Sequence, residues 1–287
     1  EAPGFSERAG NAEFVQPDYA VRECSACGLL YKTNTLTPTQ LNDYYSKTDF
    51  RKWEIEGLFP TERILLKRLG ALPAGAAILD YGCSSGRLLA TLVHSHECFG
   101  YEINETAAAL ARSKGLHMLS ASELHEECTH RFDAIVLADV FEHLQAPAVL
   151  LETLLRLLRR GGTMMIATGN GDAASCRRDP AQFWYFRTLE HLVMLTRRHA
   201  EWLCERAALG LESWELVSHY DLRWAERIRQ HCQQFAYWKY RTGGAFTRAA
   251  LNLTPYLRRA ENWRIAPAFN AGKDHVVAIL EKDDDPD

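Results

Sequence analysis

Between Ala76 and Asn170 two hydrophobic rhythms alternate along the chain. Near-continuous apolar runs, as strands buried on both faces need, are separated by segments whose apolar residues recur at three- and four-residue steps, as on one side of a helix. AAILDYG predicts a buried strand and GRLLATLVHS the helix after it; HECFGYEI and NETAAALARSKG repeat the pair, with Gly115 closing the second helix. FDAIVLADV predicts a third strand, Ala148 to Arg160 a third helix ended by Gly161 and Gly162, and TMMIATGN a fourth strand. Strand-helix alternation of this kind implies an α/β fold built on a doubly wound, mostly parallel sheet with right-handed crossovers. Further on, TRRHAEWLCERAALG predicts an amphipathic helix with Ala200, Leu203, Cys204 and Ala207 on one side, and LESWELVSHY and DHVVAIL predict two more strands.

The flanks break this rhythm. Residues 1 to 18 suggest a loose leader, and YAVREC and GLLYKT a small hairpin around Cys24 and Cys27. Thr37-Pro38 opens a helix with Leu41, Tyr44 and Tyr45 on its apolar side, where Thr37 can cap the amides ahead of it. A second helix is expected over Pro60 to Leu69, ending near Gly70. The stretch 221 to 272, between the last two strands, carries Trp224, Trp238 and Trp263 and is too long for a hairpin loop; a helical cap or a homodimerisation element is expected. The resulting division is an N-terminal extension over 1–58 with the Cys-pair hairpin and a lid helix, a core over 59–220 and 273–282, an insert over 221–272, and an acidic, disordered tail over 283–287.

Charge and cysteine usage narrow the function. With 33 Lys plus Arg against 37 Asp plus Glu, the formal charge is −4. That balance lowers the expectation of a nucleic-acid partner, since non-specific phosphate binding needs clustered positive charge. The densest basic run, Arg156 to Arg160, falls at an expected helix end, where cations suit the dipole. Eight cysteines are widely spread, which points to a reducing compartment and a cytoplasmic location. No apolar run approaches the ~18 residues of a membrane span, and EAPGFSERAG lacks the apolar core of a signal peptide.

The strongest local signal is Leu79-Asp80-Tyr81-Gly82-Cys83-Ser84-Ser85-Gly86, at a strand-to-helix turn. Gly82 lets the chain turn sharply and approach a ligand, and ligands in such sheets bind beyond the C-terminal strand ends. The turn lacks the Lys-Ser/Thr ending of a phosphate loop. Glu102, twenty residues beyond Gly82 and at the end of the next strand, can accept two hydroxyl hydrogen bonds from a ribose.

With these features the chain resembles the class I S-adenosylmethionine-dependent methyltransferases, in particular their small-molecule branch. The resemblance covers about residues 76 to 170 and, more weakly, 183 to 210. LDYGCSSGRL is similar to the first motif of that family, which implies cofactor contacts from Asp80, Gly82, Cys83, Ser84 and Gly86. YEIN is similar to the second-strand motif, placing Glu102 on the ribose and Ile103 beside the adenine. Ala121, Ser122 and Glu123 match the segment flanking the adenine. DAIVLADVFEHL resembles the fourth motif, with Asp139, Val140 and His143 lining the cofactor and its methyl-transfer side. The resemblance implies a seven-stranded Rossmann-like sheet, S-adenosylmethionine as cofactor, and a small-molecule acceptor in the biosynthesis of a sugar or secondary metabolite. The residues themselves separate this reading from a dehydrogenase. G-C-S-S-G lacks the third glycine of GxGxxG, and the acids Asp80, Glu102 and Asp139 suit a sulfonium cation better than a pyrophosphate. Methylation of RNA or protein, and a catalytically inactive interaction protein, are the alternatives.

Methyl transfer needs alignment more than covalent participation, with a base where the acceptor is a hydroxyl or amine. His143 is the first candidate base, with Glu142 before it as an orienting group. Tyr185 and His191, after the fourth strand, can position or deprotonate an acceptor, and Arg187 can bind an anionic one. His219 and Tyr220 form a third option, and Arg223, Arg241 and Arg258 can grip an anionic acceptor. Cys24-Ser25-Ala26-Cys27-Gly28 looks like one knuckle of a zinc ribbon of the kind that precedes some sugar-modifying methyltransferases. Tetrahedral zinc wants four ligands and no second CxxC is present, so a metal-free hairpin is expected, with Cys24 and Cys27 the candidate ligands otherwise.

Overall fold

The apolar runs assemble into one sheet in the computed structural model, which describes residues 18–47, 49, 51, 56–126 and 130–283. The expected leader as far as residue 17, Trp53 and residues 284–287 lie outside them. The strands are β3 (Ala77–Tyr81), β4 (Glu97–Tyr101), β5 (His117–Met118), β6 (Phe132–Ala138), β7 (Leu158–Gly169), β9 (Leu209–Val217) and β10 (His275–Lys282), after a hairpin of β1 (Val21–Glu23) and β2 (Leu30–Lys32). The sheet order is β5-β4-β3-β6-β7-β10-β9. β3 runs parallel to β4 and β6, β4 to β5, and β6 to β7, while β10 is antiparallel to both β7 and β9. This is the expected seven-stranded, mostly parallel Rossmann-like sheet, with the insert placed before its last strand.

Side-chain alternation divides the core between two faces. Leu79, Phe99, Ile135, Leu137, Met164, Ile166, Val276 and Ala278 pack on one face with helices α1 (Pro38–Lys47), α5 (Pro147–Leu157) and α7 (Arg197–Ala207). Ile78, Cys98, Ala134, Val136, Met165, Ala167, Val277 and Ile279 pack on the other, against α2 (Pro60–Leu69) and the loop residues Leu88 and Leu89. α3 (Glu105–Ser113), which Asn104 caps by accepting from the amides of Thr106 and Ala107, adds Ala111 to the second face, and α4 (Ala121–Glu126) adds Leu124 to the first.

Two expectations change. GRLLATLVHS forms only a short 3-10 turn, Leu89–Thr91, within a run of turns. The amides of Leu92 and Ser95 bond three residues back, to Leu89 and Leu92, so the helical ladder does not propagate. The third helix stops at Leu157, and Leu158 to Gly162 belong to the strand. Arg159 therefore leaves the helix end and pairs with Asp133 at 2.7 Å, across a register shift between β6 and β7.

The N-terminal hairpin docks on the connection after β7. β2 pairs with β8 (Val193–Met194) to make a second, three-stranded sheet. Lys32 is buried and donates from Nζ to the Thr188 carbonyl at 2.6 Å. Thr196 caps α7 by accepting from the amide of His199, and donates to the Gly28 carbonyl at 2.9 Å. The insert is helical as expected, with α8 (Trp224–Thr242), α9 (Ala245–Asn252) and α10 (Pro255–Arg258), after the short α6 (Ala174–Arg178). It carries its own small apolar cluster of Ala236, Tyr240, Leu251 and Ala260. Gln230 fastens it by accepting from the amides of Asn270 and Ala271. Among the described residues no helix is long and apolar enough to cross a membrane.

Thr196→Ala removes a helix cap and a buried hydrogen bond to the hairpin together. It should lower the unfolding free energy by about 1–2 kcal/mol in urea titrations. Thr196→Ser keeps both bonds and should recover most of the loss.

Candidate functional site

The glycine turn leaves the C-terminal end of β3. Gly82 and Gly86 have φ of +79° and +72°, in the left-handed region that favours glycine. A Cβ on Gly82 would lie 2.6 Å from Cγ2 of Val140, so the β3 and β6 turns meet there without room for a side chain. The amides of Gly82 and Cys83 bond the Tyr101 carbonyl at 2.8 and 3.1 Å, tying the turn to the end of β4. Glu102 then bridges the two strand ends. Its Oε2 accepts from the Ser84 amide at 2.9 Å, and its Oε1 from the Asn104 amide at 2.8 Å. Each oxygen keeps a further lone pair for a ribose hydroxyl. Ile103, 59% exposed, offers an apolar surface beside it for a flat ring.

The acids at these strand ends are buried with little compensation. Burial, followed by the charges of Glu62 and Glu102, pushes Asp80 up to about 7, with Arg87 opposing. Burial and Glu142 push Asp139 up to about 6, opposed by His275, Tyr185 and His143. Arg87 is committed to Glu62 at 2.6 Å. Such a site favours a bound cation, and the positive methionine end of S-adenosylmethionine fits it.

Beyond Asp139 the chain forms a 3-10 turn, Phe141–His143. Glu142 is fully buried and accepts from Thr168 Oγ1 at 2.7 Å and from the Tyr185 hydroxyl. The same hydroxyl lies 3.1 Å from Asp139 Oδ1. His143 Nδ1 lies 2.9 Å from the Tyr45 hydroxyl and 3.2 Å from the Glu190 carbonyl. Burial lowers the His143 pKa despite the nearby Glu190, which keeps the imidazole neutral. His191 packs edge-on to His143 at 4.8 Å and donates from Nδ1 to the Tyr185 carbonyl at 2.7 Å. Its burial is complete enough to hold its pKa well below the ordinary value.

Thus Asp80, Gly82, Ser84, Gly86, Glu102, Ile103, Asp139 and Val140 lie at the C-terminal ends of β3, β4 and β6 and the turns that follow, and His143, Tyr185 and His191 meet beside Asp139 and Glu142. The cysteine of the turn is different: Cys83 Sγ is buried against Gly100, so only its backbone faces the turn. Glu123 spends its carboxylate on the amide and hydroxyl of Ser120, as the cap of α4, and Ser122 Oγ lies 3.0 Å from Ser120 Oγ. The Tyr185 hydroxyl, with its one proton, lies between the Asp139 and Glu142 carboxyls; burial and those charges raise its pKa far above the usual phenol, which suits positioning and not proton abstraction. Arg187 donates to the Ala266 carbonyl at 2.8 Å and so holds the insert, and Arg241 bonds the Tyr237 and Trp263 carbonyls inside it. Cys24 and Cys27 lie on the β1–β2 turn as free thiols, outside the groups of three or more donors found among the described residues.

Several residues of the site had no sequence signal. Glu62, Arg87, Thr168, Asp274 and His275 enter it only through packing, whereas Glu190 lies beside the candidate His191 in the sequence. His275 heads the last strand, and its position at the C-terminal end of β7 follows from the antiparallel direction of β10.

The raised acids make stability depend on pH in a defined direction. A carboxyl whose folded pKa exceeds its unfolded value binds its proton more tightly when folded, so folding weakens as the pH rises. For Asp80 the loss develops between its ordinary 3.8 and about 7, and Asp139, at about 6, acts in the same sense. His143, His191, His199 and His219, whose pKa values burial lowers, act in the opposite sense, so the Asp80 share is read against a variant. Relative to the wild type, Asp80→Asn should gain stability between about pH 4 and about pH 7, by a few kcal/mol at most; a difference independent of pH would show Asp80 to be ordinarily ionised.

Comparison with known proteins agrees with this geometry. A family model described as a methyltransferase domain matches residues 40–216. Over 119 residues the chain is 29% identical to a ubiquinone biosynthesis O-methyltransferase of Xanthomonas oryzae pv. oryzae, covering 38% of this chain and 47% of that protein. It is 30% identical over 116 residues to the protein of the same name from Alkalilimnicola ehrlichii, covering 37% and 47%. The chain thus spans about half the length of these curated relatives. Among solved structures, a complex between the Haloferax volcanii Trm112 methyltransferase activator and a methyltransferase shares the fold, with a TM-score of 0.52 and 14% identity over 78% of this chain and 89% of that one. With most of its core inside the matched span, the chain belongs to the methyltransferase domain family, whose cofactor is S-adenosylmethionine.

Proposed function

We propose that the chain methylates a hydroxyl of a small, aromatic acceptor, with His143 as the general base. The observation that carries this reading is the place of the His143 imidazole, held by Tyr45 and the Glu190 carbonyl five residues past the β6 strand end. A phenolic hydroxyl loses its proton during transfer and gains from such a base, whereas a neutral amine needs none before attack. The surrounding rings suit a flat acceptor. Trp184 lies 5.1 Å from Tyr185 and 5.9 Å from His219, and Tyr220, 41% exposed, lies 4.4 Å from His219. The name O-methyltransferase carried by the curated relatives points the same way.

S-adenosylmethionine, when bound, supplies an electrophilic methyl group on a sulfonium. Glu102 and Ile103 would hold its ribose and adenine, and Asp80 its positive methionine end. Tyr185 donates its one proton to Glu142 and lies within hydrogen-bond reach of Asp139, and Thr168 fixes the second oxygen of Glu142. His143, with its Nδ1 proton shared between Tyr45 and Glu190, keeps Nε2 as a proton acceptor. Alignment of the acceptor oxygen accounts for most of the rate, and the base for about 10²–10⁴-fold.

Calorimetry should show micromolar binding of S-adenosylhomocysteine and none of NAD, and Glu102→Ala should weaken that binding through loss of the ribose contacts. With labelled methyl donor, transfer should go to phenols and catechols in preference to amines or RNA. His143→Ala should lower kcat by about 100-fold or more while leaving S-adenosylhomocysteine affinity nearly unchanged. Equal kcat in wild type and variant would remove His143 from the base role, and transfer to RNA alone would reject the acceptor class.

A further inference from the structure

A second set of polar atoms, apart from the His143 network, lies where β10 begins. His275 is fully buried, and neither ring nitrogen has a hydrogen-bond partner. Its Nδ1 is 3.5 Å from Asp274 Oδ1, and its Nε2 is 3.9 Å from Asp139 Oδ1. His219 is buried as well, and its Nδ1 also has no partner. Its ring is stacked between Phe59 at 4.6 Å and His275 at 4.2 Å. Asp139 completes the group, and one ligand atom from each of Asp139, His219 and His275 falls within 4.8 Å of the other two.

Buried imidazole nitrogens without a hydrogen bond are costly. Their arrangement is held by other bonds. Asp274 accepts from the His219 amide at 2.9 Å and from Trp184 Nε1 at 2.9 Å, which locks the strand ends carrying both rings. Asp139, whose side chain is 28% exposed, is the one member of the group that is not buried.

We infer that Asp139, His219 and His275 form a binding site for one divalent transition-metal ion. Two imidazoles and a carboxylate suit zinc and its first-row neighbours, and ligand distances of about 2.0–2.2 Å require only a modest contraction of the group. Three protein ligands leave the remaining coordination open on the Asp139 side. A neighbouring group, Glu142, His143 and His191, spans a similar distance but is satisfied without an ion. Glu142 accepts from Tyr185 and Thr168, and the Nδ1 atoms of both histidines have oxygen partners. The partnerless Nδ1 of His219 and the long 3.5 and 3.9 Å contacts of the His275 nitrogens therefore single out the first set.

The test is cobalt uptake by the chelator-treated full chain. One Co2+ per chain should bind, with ligand-field bands and no thiolate charge-transfer band, and Zn2+ should compete with it. His219→Ala and His275→Gln, each checked for folding by circular dichroism, should weaken binding at least about tenfold, more than the loss of an outer-shell partner needs to produce. If His275→Gln does not fold, His219→Ala decides, together with a rise in the wild-type Tm on adding Zn2+. No uptake overturns the site. Uptake abolished by His143→Ala or by Cys24→Ser with Cys27→Ser, yet untouched by His219→Ala, overturns it equally. S-adenosylhomocysteine binding by the metal-free chain is read separately, so loss of this site leaves the methyl-transfer reading standing.

Discussion

Everything in this fold depends on one sheet being buried on both faces. Strands such as β6 and β10 carry apolar side chains in both directions, and each set meets its own layer of helices or loops. A strand so placed has no flank on which to carry polar chemistry. Polar residues are pushed to the strand ends, where backbone turns can satisfy them and the two layers part. Asp80, Glu102 and Asp139 occupy those ends on three neighbouring strands. The antiparallel last strand adds its own beginning, His275, to the same rim.

The rim is acidic and poor in fixed cations. Arg87 is spent on Glu62, Lys32 on the Thr188 carbonyl, and Arg187 on the insert. Asp80 and Asp139 are consequently held above the ordinary carboxylate range, with burial the first cause in each. A cationic ligand relieves the repulsion that folding creates among these acids, so affinity for a sulfonium and the raised pKa values of Asp80 and Asp139 have one origin. Histidines provide the local counterweight. Carboxylates around His275 outweigh the burial that opposes its charge and hold its pKa above the usual value, whereas burial drives His219 down to about 2.

The acceptor side is assembled from pieces far apart in the chain. Tyr45 comes from the N-terminal helix, His143 from the turn after β6, and Glu190 and His191 from the connection after β7. That connection is held by the hairpin, through Lys32, Thr196 and the β2–β8 pairing. The extension thereby acts as a brace for the connection that carries Glu190 and His191, a structural use of the hairpin that requires no metal on Cys24 and Cys27.

The amino-acid sequence by itself determined the parts of this protein that follow from local periodicity and spacing. These are the order of the strands along the chain, the positive-φ glycine turn, Glu102 at the next strand end, and the helical insert. Such features are legible because near-neighbour sterics and burial patterns impose them residue by residue. It failed at GRLLATLVHS, where helical periodicity survives but the ladder does not form, and at Arg159, which pairing with β6 draws from an expected helix into a strand. Only the tertiary structure decided that Glu62, Thr168, Glu190, Asp274 and His275 belong with Asp139 and His143. Their juxtaposition depends on strand direction and on contacts across more than a hundred residues, such as His275 against Asp139. The energy of a buried charge is set by what surrounds it in space, and no local pattern encodes that.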